Sequence, residues 1–166
     1  MSDARWTEVE LALADAVGRF SDALAISQQA RPSESLQQTI LDNALMHTLQ
    51  NGHHSAEAAL LKTLDILGET APTGPSSNRD LINRVAFPII DGDLARPAII
   101  NAAAADDLHE TRRFRHVATH GYANFDAGRA TPTLAAAERL VQSLPAALKR
   151  FKAVIDPDDK LPDPTD

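Results

Sequence analysis

Cysteine is absent from the 166 residues, which excludes disulfides and thiolate-held metals and fits a reducing, cytoplasmic setting. No apolar run approaches the roughly 18 residues of a membrane-spanning helix, so no membrane partner is expected. The opening "MSDARWTEVE" lacks the basic-then-apolar order of a signal peptide. Cations are outnumbered, 16 Lys and Arg against 23 Asp and Glu, for a net charge of −7. That balance argues against a broad, nonspecific grip on a phosphate backbone and against DNA as a partner. The deficit is uneven, however. Much of it sits in "DPDDKLPDPTD", residues 156–166, whose prolines and acids leave too little apolar surface to fold and predict a solvated tail. Residues 1–155 remain, a length expected of one domain with its own core.

What the chain does have is helical periodicity. Trp6, Val9, Leu13, Ala16, Phe20 and Leu24 recur at steps of three and four and predict a helix over about 5–28. Pro32 breaks the pattern, with Ser33 as the N-cap of the next helix. Residues 33–67 read as one long helix with Leu36, Ile40, Ala44, Leu60, Leu61, Leu64 and Leu67 on its buried side, stopped by Gly68. "NRDLINRVA", 78–86, predicts a short helix ended by Pro88, and a fourth helix should run over about 102–122. The last helix starts with Thr131 as N-cap and Pro132 at the first helical position, and Pro145 should kink it. With no credible strand, the expected architecture is all-α: an antiparallel up-and-down bundle of four main helices plus a short one.

The chemistry concentrates in "RRFRHVATHGY", residues 112–122. At about 100° per residue, Arg113, His116 and His120 share one helix stripe, whereas Arg115 lies about 140° from His120. Three readings fit. One is a solvated basic helix face. Another is a metal site, His116 and His120 chelating at i, i+4, but Arg113 and Arg115 beside them would repel a dication. The third is metal-free phosphate chemistry. A histidine can take the proton of a ribose 2′-hydroxyl while a permanently charged guanidinium stabilises the developing phosphorane. Composition does not choose among them.

Arg115, four residues, His120, one residue and Tyr122 resemble the R-x4-H-x-Y motif of the HEPN superfamily, and of HepT-like ribonuclease toxins in particular. "ETRRFRHVATHGYANFD", "LQNGHHSAEAALLKTLDILGE" and "PTGPSSNRDLINRVA" are similar to further segments of that family, in the same order, so that the resemblance spans roughly residues 40 to 155. It implies a helical bundle that pairs as a homodimer, with Arg115 and His120 lining a cleft between protomers. It also implies a toxin–antitoxin role as an endoribonuclease needing no cofactor. Arg115 would stabilise the transition state and His120 would move the proton. Arg112, Arg113 and His116 would contact or support RNA, and Glu57 would orient the motif arginine through an ion pair. Tyr122 matches the tyrosine that a minimal nucleotidyltransferase antitoxin adenylylates. His116, Thr119 and Asn78 depart from the family's usual Asn, Arg and His. The alternative is a HEPN module that binds such a partner and cleaves nothing. His53 and His54 read as packing or solvent-exposed residues.

Overall fold

The computed structural model of the protein describes residues 4–120 and 127–157, with the backbone alone at 115–120 and 127. Five α-helices succeed one another: α1 (Ala4–Ser27), α2 (Ser35–Ile66), α3 (Ser77–Ala86), α4 (Ala102–His120) and α5 (Thr131–Ile155). Among the described residues there is no strand, only a single antiparallel bridge between Ile89 and Arg96 in the α3–α4 connector. The expected all-α bundle, four main helices and a short one, is the one observed. None of the described helices is long and apolar enough to cross a membrane.

α1 and α2 pack along each other, and the sequence of each explains the seam. Trp6, Val9, Ala16, Phe20 and Ala23 face inward from α1; Leu45, Met46, Leu49, Ala56, Ala59, Leu60 and Leu64 face inward from α2. The small residues on α2 let the helices approach. At Gly52 the approach is closest, since a Cβ there would lie 2.7 Å from Cδ1 of the buried Phe20 ring.

The first part of α2 departs from the expected stripe. Leu36 and Ile40 are 71% and 60% exposed, and Ala44 is exposed as well. The helix has 32 residues against 24 in α1, about 48 Å against about 36 Å at a rise of about 1.5 Å. Its buried residues begin only at Leu45. The turns before that project past the core, with Asp42 held by Arg31 at 3.1 Å. Leu61 is likewise exposed, at 39%.

Helix ends obey the local chemistry. α2 closes in a Schellman turn: Gly68, at φ 70°, donates to the Asp65 carbonyl at 3.0 Å, and Glu69 donates to that of Leu64 at 2.9 Å. α2 starts at Ser35 with Glu34 as N-cap, one residue beyond the cap expected at Ser33. α3 stops at Ala86 because Phe87, preceding Pro88, is extended. Asn101 caps α4, its Oδ1 accepting from the Ala104 amide at 2.9 Å. α5 is entered through a 3-10 turn at Ala127–Ala130, so Thr131 is its first helical residue rather than its cap. It runs on through Pro145 to Ile155.

The first turn of α1 and the end of α5 are clasped together. Trp6 Nε1 donates to Asp156 at 2.6 Å, Arg5 reaches the same carboxylate at 3.3 Å, and the Lys152 ammonium sits 5.9 Å from the Trp6 ring centroid.

Candidate active site

α4 carries Arg112, Arg113, Arg115, His116 and His120 on its last two to three turns. Those turns are continuous helix to His120. The side chains of Arg115, His116 and His120 lie outside the described residues, and so does Tyr122 altogether. What is described is the ground on which the motif stands.

That ground is fixed from three sides by polar contacts, each to a different helix. Towards α2, the Thr111 hydroxyl meets His53 Nδ1 at 2.8 Å. Towards α3, His109 Nε2 donates to Asn83 Oδ1 at 2.9 Å. Towards α5, Asp107 accepts from Arg139 at 2.6 and 3.1 Å, and Glu110 accepts from Thr133 at 3.3 Å. Apolar packing of Ala104, Ala105, Leu108 and Phe114 fills the space between. Thr111 sits one helical turn before Arg115, at i−4, so the contact to α2 holds α4 close to the motif arginine.

The α2 side of this seam is unusually polar for a core. His53 is fully buried and Glu57 is 5% exposed, one turn apart on the same helix. His53 Nε2 lies 3.2 Å from Glu57 Oε1, a contact that is not aligned as a hydrogen bond. His54 is turned to solvent, with its Nδ1 4.0 Å from Glu57 Oε2. Glu57 is therefore a buried carboxylate facing the seam rather than a surface one. A buried carboxyl is retained only where neighbours compensate its lost hydration.

The remaining predicted residues are less enclosed. Arg113 is exposed and pairs with Glu110 at 2.8 Å. Arg112 is half-buried, and its Nε is enclosed with no hydrogen-bond partner among the described residues. Both guanidiniums act on His109. Burial comes first, then Arg112 and Arg113, and together they hold that imidazole below its ordinary pKa against the opposing pull of Asp106. Arg112 and Arg113 thus place two cations just ahead of the motif in an acidic protein.

Sequence reasoning gave His53 only a packing or solvent-exposed place, and it passed over Thr111 and His109. The first two were detectable as spacing, since His53 stands at i−4 from Glu57 and Thr111 at i−4 from Arg115. No pattern in one sequence says that the two helices face each other there.

A family model described as HepT-like protein matches residues 44–155, about two thirds of the chain. No curated protein and no solved structure matches it. The match runs from the point where α2 enters the core to the end of α5, and takes in Glu57, Thr111, Arg115, His120 and Tyr122. By that match and by its helical bundle, the chain belongs to the HepT-like family of HEPN-type proteins.

Proposed function

We propose that this protein is a metal-independent endoribonuclease of the HepT-like type, acting as the toxin of a bacterial toxin–antitoxin pair. The observation that carries the reading is the Arg115–x4–His120–x–Tyr122 spacing at the end of a helix whose preceding turn is bound to the buried His53–Glu57 side of α2. Catalysis then needs no cofactor. His120 takes the proton from a ribose 2′-hydroxyl, or supplies one to the departing 5′-oxygen, and Arg115 stabilises the dianionic phosphorane. Two copies pair so that each groove holds both motifs, which lets groups on neighbouring faces of α4 converge. Arg112, Arg113 and His116 hold the RNA backbone near the cut. Addition of AMP by a nucleotidyltransferase antitoxin at Tyr122 would silence the site by adding bulk and negative charge where the RNA must lie. The protein then works in the cytoplasm.

Arg115→Ala and His120→Ala should each lower cleavage of single-stranded RNA by about 10²- to 10³-fold. EDTA should leave the wild type unaffected, and the products should end in 2′,3′-cyclic phosphate. Unchanged cleavage in both variants removes the catalytic assignment.

The net charge of −7 favours a second reading, a HEPN module that binds a nucleotidyltransferase and cuts nothing. Purified dimer that shifts the partner in a binding assay yet leaves RNA intact would select it.

A further inference from the structure

The outer side of α3 carries a groove to which the proposed reaction gives no part. It measures about 610 Å³, with Pro72, Phe87, Pro88 and Ile89 as its apolar lining and Asp80 and Asn83 on its polar wall. Phe87 is 67% exposed, whereas the other described phenylalanines, Phe20, Phe114 and Phe151, are core. The backbone beneath the bare ring is pinned. The Phe87 carbonyl accepts from the buried Arg96 guanidinium at 3.1 Å, and two residues on Ile89 exchanges both backbone hydrogen bonds with Arg96 at 2.9 Å. A ring held out to solvent on a fixed backbone is a stacking platform that pays little ordering entropy on binding.

The polar wall is joined to the helix that bears the motif. Asn83 Oδ1 accepts from His109 Nε2 at 2.9 Å, which leaves the amide hydrogens of this exposed side chain to the groove. Asp80 is held ionised, its pKa lowered first by the hydrogen bond from Ser76 at 2.6 Å and also by Arg79, against the pull of burial. It therefore offers an acceptor to an exocyclic amino group. Cations gather at the same junction. Burial and then Arg112, Arg113 and Arg79 depress the His109 pKa, so guanidiniums from both helices stand around the α3–α4 contact. Arg79 is engaged by Asp80 and Arg113 by Glu110. Arg112 makes no ion pair among the described residues, and its Nε has no partner there.

We propose that the α3 groove is a base-binding subsite for single-stranded RNA: Phe87 stacks on one nucleobase, Asn83 and Asp80 meet its polar edge, and the backbone leading to the motif passes Arg112. Stacking on an aromatic beside guanidiniums is how unpaired strands are gripped. A docked protein would want a wide apolar patch, but Asp80, Asn83 and Arg84 share this groove, and the exposed Ile90 and Leu94 do not line it. The helix sets the spacing. His109 stands eleven positions before His120 on continuous α4, about 16 Å at a rise of about 1.5 Å, so the stacked base lies a few nucleotides from the cut. That link to cleavage rests on the ribonuclease reading; the grip on RNA does not.

A 2′-O-methyl oligoadenylate of about ten nucleotides lacks the attacking hydroxyl, so its binding to the full-length protein is read apart from catalysis. Phe87→Ala should weaken it about five- to a hundredfold, the effect of removing one stacking aromatic, and Phe87→Trp should keep it tight. With cleavable RNA of the same length, Phe87→Ala should raise KM and leave kcat unchanged. With a dinucleotide, too short to reach the groove, both constants should stay as in the wild type. Equal oligoadenylate affinity in wild type and Phe87→Ala overturns the subsite. So does loss of nucleotidyltransferase binding in that variant with RNA affinity intact, which would make the groove a protein-docking face. Wild type that binds oligoadenylate through Phe87 yet cuts neither RNA sinks the ribonuclease reading alone and leaves the subsite standing.

Discussion

Two glycines show how one methyl group can have opposite effects in the same bundle. Gly18 lies inside α1, and a Cβ added there would have nothing within 4 Å, so Gly18→Ala should stabilise the fold by up to about 1 kcal/mol through helix propensity alone. Gly52 gains the same propensity, but its Cβ would meet the rigid Phe20 ring at 2.7 Å. Overpacking of that kind costs about 1–3 kcal/mol and wins over the propensity gain. Thermal unfolding should therefore move up for one variant and down for the other, by about 2–4 °C per kcal/mol. His109 offers a pH handle at the same scale. Its folded pKa lies below the ordinary value, so the unfolded chain takes up the proton first. Its share of stability is complete above the ordinary histidine range and is lost as pH falls through that range to the lowered value. An NMR titration should find His109 below free histidine, and Arg112→Gln should raise it. None of this was legible in sequence, where residues 33–67 read as one long helix with nothing to say what packs on Gly52, and His109 drew no notice.

Between elements, the join of α2, α3 and the connector depends on one buried acid. Glu69, just past the Schellman turn, accepts from Arg84 at 2.8 Å and from Arg96, which is itself buried and also donates to the carbonyls of Phe87, Pro97 and Arg84. Burial alone would raise this carboxyl, but the hydrogen bonds from Arg96 and Arg84 outweigh it and hold the pKa below the usual glutamate value. Its contribution is thus present above the ordinary glutamate range and disappears as pH drops through it. Glu69→Ala strands the Arg96 guanidinium and should cost about 3–5 kcal/mol in denaturant unfolding, well beyond what a surface pair costs. Gly68 as the stop of α2, Pro88 as the limit of α3 and the apolar stripe of α1 could all be read from the chain, because each rests on local backbone or periodic chemistry. The inner side of α2 could not. Leu36 and Ile40 have the right spacing, but only the length of α1 decides where α2 begins to be covered. Arg96 gave no signal either, since its partners come from three separate segments.

For the molecule as a whole, the ribonuclease reading requires two copies, and light scattering should return twice 17.9 kDa; a monomer at working concentration would leave the motif groups of one chain without their counterpart. The motif itself was plain in sequence, whereas its support was not: nothing along the chain says that Glu57 is buried, and only the seam between α2 and α4 makes it an enclosed neighbour of His53. The family match begins at residue 44 and leaves α1 outside, yet Trp6, Val9 and Phe20 of α1 are core. A fragment starting at residue 28 should accordingly aggregate, and a synthetic α1 peptide supplied in trans should bring it back as folded helix by circular dichroism. Phe20 presses on Gly52, the residue next to His53. The first helix, outside the matched segment, thus sets how closely α2 can be approached beside the enclosed His53 and Glu57, so a change in the size of Phe20 reaches that spot from the far side.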